Sequence, residues 1–315
     1  MAAPVAACAS RPASSTARPP SRYGPTTLRS VERPAAVHAA SLHRSRWLIA
    51  RRVVQVLALA AFLAGPWAGL WVARGTLASS EWFGVLPLTD PFVALQALLA
   101  HRSLAWSALV GAALVAAFYV LTGGRSFCAW VCPINPVTDL AAWLRTTLRL
   151  PSLLGNRRPD RRLRYAVLAF SLAISALLGS VAWETVNPIT LLHRALLFGL
   201  AGGYGVALAV FLFDLLVVPR GWCGHLCPVG AFYGLIGRAS VLHMSAPRRD
   251  ACTQCGDCFR ACPEPQVIAP ALYGAAQGRA PTIVSADCTR CARCLDVCEA
   301  NVFDWEWRSD RARTR

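Results

Sequence analysis

Two cysteine runs near the C-terminal end restrict this chain more than any other feature in it. The first reads Cys252-x2-Cys255-x2-Cys258-x3-Cys262-Pro263 and the second Cys288-x2-Cys291-x2-Cys294-x3-Cys298. Dense cysteine belongs to disulfide frameworks in small secreted domains, and a chain of 315 residues is not small. Zinc sites usually take their ligands as two separated pairs, which a doubled four-cysteine run matches poorly. Three thiolates at i, i+3 and i+6 suit a tight loop wrapped around three irons of one cubane.

The same spacing resembles that of bacterial two-cluster ferredoxins, in which the fourth cysteine of each run serves the other cluster. The resemblance implies Cys252, Cys255, Cys258 and Cys298 on one [4Fe–4S] cluster, and Cys288, Cys291, Cys294 and Cys262 on a second. Glu299 stands where proline often follows the last cysteine, but proline is not a ligand. The interval Pro263–Asp287 is longer than in a minimal ferredoxin and predicts a surface insertion.

Composition puts these runs beside a membrane. Hydrophobic residues make up 55% of the chain and charged ones 15%, with a mean hydropathy of +0.43. That balance asks for helices that span a bilayer. Four stretches qualify: Val53–Val72, Leu104–Thr122, Tyr165–Trp183 and Leu196–Val218. Gly65-Pro66 predicts a kink in the first. In the link Ala73–Ser103, the short apolar segment Pro91–Ala100 reads as a surface or re-entrant helix. The fold class is therefore an α-helical integral membrane protein of four transmembrane helices, a pseudo-repeat of two, with a C-terminal α+β 2[4Fe–4S] ferredoxin domain. Its divisions are a disordered tail at 1–43 holding Cys8, a membrane domain at 44–245, a ferredoxin domain at 246–307 and a basic tail at 308–315.

Arginine carries almost all of the +16 net charge and fixes orientation. Arg44, Arg46, Arg51 and Arg52 precede the first span, and Arg125, Arg145, Arg149, Arg157, Arg158, Arg161, Arg162 and Arg164 fill the link between the second and third. Positive loops stay in the cytoplasm, so both termini and the ferredoxin domain are expected there, in a bacterial inner membrane. No basic patch interleaved with aromatics supports nucleic-acid binding; the partner this charge implies is the lipid bilayer.

A second pair of motifs repeats the membrane half. Cys128-Ala-Trp-Val-Cys132-Pro133 follows the second span, and Cys223-Gly-His-Leu-Cys227-Pro228 follows the fourth. Spacing of i, i+4 puts both thiols on one face of a helical turn, and the proline stops or restarts the helix. Four soft thiolates at one membrane surface could hold a third iron–sulfur centre or zinc, act as redox dithiols, or be structural. No Cys-x-x-Cys-His occurs, which excludes covalent c-type haem. His101 and His193 sit at or beyond span ends, a poor pair for a b-haem.

The stretches Gly124–Asp139 and Gly221–Gly237, taken with the cluster runs, resemble the NapH family over roughly Trp47–Trp307. These are membrane ferredoxin-type quinol dehydrogenase subunits of periplasmic nitrate reductase systems. The resemblance implies that quinol electrons pass toward a nitrate reductase (NapAB-like). The route runs with a periplasmic ferredoxin subunit (NapG-like), directly or through a multihaem cytochrome (NapC-like). A related polyferredoxin of copper-oxidase or nitrous-oxide reductase maturation (FixG- or NosR-like) is the alternative. It is disfavoured by the absence of a segment long enough for a flavin domain and of a soluble domain after Cys298. A non-catalytic docking scaffold is the other alternative.

A quinol site needs an apolar slot, a proton acceptor and an electron acceptor nearby. Ionisable residues within spans are costly and mark function. Asp214, in the last turns of the fourth span near Cys223 and Cys227, and Glu184, at the far end of the third, are the expected acid/base residues. His225 inside the second motif is a weaker candidate ligand or proton relay.

Overall fold

The computed structural model describes residues 45–154 and 159–308. The tail 1–43 with Cys8, together with Arg44, Arg157, Arg158 and the end from Ser309 onward, lies outside the described residues. The chain divides into two compact units, residues 50–241 and residues 242–315 with the segment up to Ile49.

The larger unit takes in most of α1 (Arg46–Ala68), whose Pro66 removes one intrahelical hydrogen bond in the last turn, two residues before the helix ends. The chain then forms a small antiparallel sheet, β1 (Ala73–Gly75), β2 (Ser79–Trp82) and β3 (Leu86–Thr89). Next come α2 (Pro91–His101), α3 (Trp106–Thr122), the single turn α4 (Ser126–Trp130) and α5 (Ile134–Thr147). The second half runs α6 (Leu163–Leu178), a 3-10 turn at Ala182–Thr185, α7 (Pro188–Phe198) and α8 (Ala201–Leu212). It continues through π turns at Phe213–Val217 and Trp222–Leu226 into α9 (Pro228–Ile236).

The repeat is therefore richer than two spans and a motif. Each half holds a long helix, a short proline-started helix, a second apolar helix, a Cys-x3-Cys-Pro turn and a restarted helix. The proline-started pair match closely. Asp90 Oδ1 accepts from Phe92 N at 2.7 Å, and Asn187 Oδ1 accepts from Ile189 N at 3.2 Å. Both side chains satisfy an orphan N–H at a helix start, with proline at the first position. Both helices end on a left-handed residue, Arg102 and Gly199.

One expectation changes here. The stretch Leu196–Val218 is not one helix: Gly199 (φ +71°) ends α7, and α8 begins at Ala201. Among the described residues one helix, Arg46–Ala68, is long and apolar enough to cross a membrane by length and composition. The other apolar helices, Trp106–Thr122, Leu163–Leu178 and Ala201–Val217, are shorter. Their outward faces are apolar all the same, with Phe118, Phe170, Leu177 and Leu208 all more than half exposed.

The smaller unit is a three-stranded sheet ordered β5–β4–β6, from β4 (Leu242–Ser245), β5 (Thr282–Ile283) and β6 (Asp304–Trp307). It also carries the helical turns α10 (Asp257–Ala261), α11 (Ile268–Tyr273) and α12 (Arg293–Val297). The long interval after Pro263 is not a surface insertion. Ile268, Ala271 and Leu272 of α11 are buried in the core with Met244 and Phe303, because a domain this small lacks other apolar bulk.

Candidate iron–sulfur and membrane-motif site

In the smaller unit, Cys252, Cys255, Cys258 and Cys298 line one cavity. Cys258 lies under the electrostatic influence of Cys252, Cys255 and Cys298 together, so the far cysteine of the second run meets the first run's three. The reciprocal group also forms: Cys294 feels Cys291, Cys288 and Cys262. Gly256 (φ +78°) gives the first loop its left-handed turn between Cys255 and Cys258, a conformation glycine adopts freely. Val302 N donates to Cys298 Sγ at 3.4 Å.

Burial, and then repulsion from the neighbouring sulfurs, pushes the Cys258 thiol up to about 12 and Cys294 well above the ordinary range. Four such sulfurs cannot all ionise alone; irons held between them would supply the positive charge that reverses this. Among the described residues no three His, Cys, Asp or Glu side chains converge tightly enough for a single metal ion. Cys252, Cys255, Cys258 and Cys298, spaced around one cavity, suit the four corners of a cubane.

In the larger unit the two Cys-x3-Cys-Pro motifs come together. Cys128 lies in α4 and Cys223 in the π turn Trp222–Leu226, while Cys132 and Cys227 sit just beyond those turns. Pro133 and Pro228 then restart α5 and α9, with Cys227 Sγ accepting from Gly230 N at 3.4 Å as the cap of α9. Cys223 feels Cys227, Cys132 and Cys128, and Cys132 feels Cys128 and Cys227. Burial raises all four thiols, Cys227 to about 12, and Arg125 opposes the rise at Cys128. Arg125, 1% exposed, also donates from Nη2 to Cys223 O at 3.2 Å, joining the two motifs.

The halves can approach this closely because Gly124 has no side chain. A Cβ there would stand 1.8 Å from Tyr233 O and 2.5 Å from Gly237 N. Gln55 of α1 adds a further tie, donating to Ala129 O at 2.9 Å.

The expected acid/base residues are placed as follows. Asp214 is buried beside Cys223; its Oδ1 accepts from Trp222 N at 2.9 Å, and Oδ2 has no hydrogen-bond partner. Glu184 accepts from Thr190 Oγ1 at 2.6 Å and Asn187 Nδ2 at 2.8 Å, which ties down the start of α7. His225 is buried within the second motif, and His101 is exposed.

Sequence reading missed Asp90. Burial raises its carboxyl to about 7 against the pull of the Phe92 N–H, with Glu184 adding to the rise. Tyr233 also bonds it. The signal was there: Asp90-Pro91 in one half answers Asn187-Pro188 in the other, at nearly the same distance before its motif.

Known proteins converge on this arrangement. A family described as "4Fe-4S binding domain" matches twice, at residues 104–151 and 200–247, once over each Cys-x3-Cys-Pro motif. A "4Fe-4S dicluster domain" matches residues 246–299. The ferredoxin-type protein NapH of Escherichia coli is 46% identical over 82% of this chain and 88% of its own length. The methylamine utilization ferredoxin-type protein MauN of Methylorubrum extorquens is 51% identical over 90% of this chain and 96% of its own. The chain belongs to the NapH and MauN family of ferredoxin-type proteins. MauN of Methylobacillus flagellatus is 54% identical over 74% of this chain and 81% of its own length. No solved structure matches. Membership gives the chain an iron–sulfur electron-transfer role, consistent with thiol groups already gathered for clusters.

Proposed function

We propose that this protein is a membrane-embedded relay that takes electrons from quinol and passes them through iron–sulfur centres. The observation that carries it is the meeting of Cys128, Cys132, Cys223 and Cys227 at one place, in a unit whose outer helices are apolar. Cys252, Cys255, Cys258 and Cys298 would hold one [4Fe–4S] cluster; Cys288, Cys291, Cys294 and Cys262 would hold the other. The four motif thiols would hold a further redox metal centre or act as dithiols. When bound, these centres supply one-electron chemistry. Four spans with both termini cytoplasmic follow from the arginine distribution and the apolar outer faces. Asp214, beside Cys223, and Glu184, beside Asp90, would carry protons from these sites.

On the NapH side of the family, the electrons would go toward a periplasmic nitrate reductase and its partners. A second reading is favoured by the 51% and 54% identities to MauN: a role in methylamine utilization, with the same relay serving a different partner.

Iron and acid-labile sulfide analysis, with EPR of the oxidised and quinol-treated protein, tests the relay. About eight irons follow from two cubanes and about twelve from a third on the motif thiols. Clusters that stay oxidised under quinol would sink the quinol reading. Growth of a deletion strain on methylamine, set against its periplasmic nitrate reduction, separates the two branches.

A further inference from the structure

The larger unit holds an apolar cleft in two adjoining lobes, of about 420 Å³ and about 260 Å³. Ala58, Phe62, Leu77 and Val131 line both lobes. Polar groups are few and stand apart. The larger lobe carries Asp90 with Tyr119, Tyr233, Ser80 and Thr89; the smaller carries His193 with Arg52 and Gln55, which are bonded to each other and to Asp139 and Ala129 O.

His193 is 1% exposed, and neither ring nitrogen has a hydrogen-bond partner. Among the described residues its ring packs against the edge of Phe62, with centroids 4.8 Å apart. A buried imidazole with no partner is destabilising, so its place on a cavity wall calls for a ligand. Asp90 spends one oxygen on the α2 cap.

The cleft also has a mouth and a neighbour suited to redox work. Leu114 and Phe118 in the larger lobe and Val56 in the smaller are exposed at 43%, 55% and 64%, so both lobes open onto apolar outer surface. A lipid-soluble molecule can enter sideways without crossing water. The inner wall includes Phe127 and Val131, each next to a cysteine of the first motif.

We propose that this cleft is the quinol-binding site, with Asp90 and His193 accepting hydrogen bonds from the two ring hydroxyls. The inference rests on the quinol reading above and names its site. A para-quinol is an apolar disc with one hydroxyl at each end. The cleft is a largely apolar slot with Asp90 in one lobe and His193 in the other, and the volumes suit a ring carrying the start of a prenyl tail. Tyr119 and Tyr233 stand near Asp90 as electrostatic neighbours, and Tyr233 bonds it, which orients the carboxylate.

The test uses the full chain in detergent with its clusters pre-reduced, a photoreactive azido-quinol held in the reduced form as probe, and quinol binding by equilibrium titration. Asp90→Asn keeps the α2 cap, since asparagine does that work at position 187 in the other half. His193→Leu removes the orphan nitrogens, and Leu77→Trp plugs the wall common to both lobes. Labelling is expected on peptides covering residues 53–68 and 77–90. Binding should weaken at least tenfold in Asp90→Asn and His193→Leu and vanish in Leu77→Trp, with the iron content of all three unchanged. Wild-type binding with labelling elsewhere, or with all three variants unaffected, would overturn the site while leaving the quinol reading standing. Absence of quinol binding by the wild-type protein would overturn both.

Discussion

Arg125 reaches from just before the first Cys-x3-Cys-Pro motif to the carbonyl of Cys223 in the second, its Nη2 lying 3.2 Å away. One buried cation thus fastens together two segments almost a hundred residues apart in sequence. It also opposes the effect of burial on Cys128. A hydrogen bond from a charged donor contributes about 2 kcal/mol in such surroundings.

Arg125→Met should therefore loosen the junction and raise the Cys128 thiol further. The expected outcome is loss or altered potential of any centre held by the motif cysteines, with the signals of the ferredoxin clusters retained in EPR. Unchanged spectra and redox titration would show that Arg125 only fills space.

Gly124→Ala tests how tightly the halves meet. Its methyl would collide with the backbone of Tyr233 and Gly237, and backbone cannot rotate away as a side chain can. Overpacking of this kind costs about 3 kcal/mol or more. A thermal melt of the purified protein should fall clearly below wild type, whereas Gly205→Ala, facing open space, should leave it unchanged.

Crossed ligation is tested by Cys298→Ser. The variant should alter the cluster of Cys252, Cys255 and Cys258, whose cavity Cys298 lines, and spare the cluster nearer in sequence. An altered potential or a three-iron signal would count, since an oxygen ligand can partly replace sulfur. Assignment of the change to the cluster of Cys288, Cys291 and Cys294 would refute the pairing.

The motif thiols have their own test in the double variant Cys132→Ser, Cys227→Ser. Quinol-driven reduction should slow at least tenfold while both ferredoxin clusters stay spectroscopically intact. Normal flow at normal protein level would reduce the four cysteines to packing.

Thiol titration gives a pH prediction for iron-depleted protein. Burial raises Cys258 to about 12, above the ordinary thiol value of about 8.5. A group whose pKa is raised by folding contributes stability fully below its unfolded value and loses it as pH climbs toward the folded one. Iron-depleted protein should thus melt at progressively lower temperature from pH 8 to pH 10, whereas cluster-loaded protein, with its thiolates already ionised, should not.

The sequence alone determined the chemistry. The spacing of the two four-cysteine runs is local, and three thiolates within seven residues need only a loop to surround one cluster. The family was legible for the same reason, since short motifs survive as contiguous text. Apolar stretches and arginine counts likewise drew most of the helices, though the break at Gly199 escaped because Leu196–Phe198 and Leu200–Val218 read as one apolar run.

Only tertiary structure decided what meets what. That Cys128 faces Cys223 depends on packing between segments far apart in the chain, whereas the meeting of Cys298 with Cys258 was already implied by the ferredoxin resemblance. Asp90 and His193 look ordinary in sequence, one a helix cap and the other a lone histidine in an apolar segment. They line one cleft only because α1, α3 and α7 pack to leave it, and packing of side chains over such separations is not written in any local pattern.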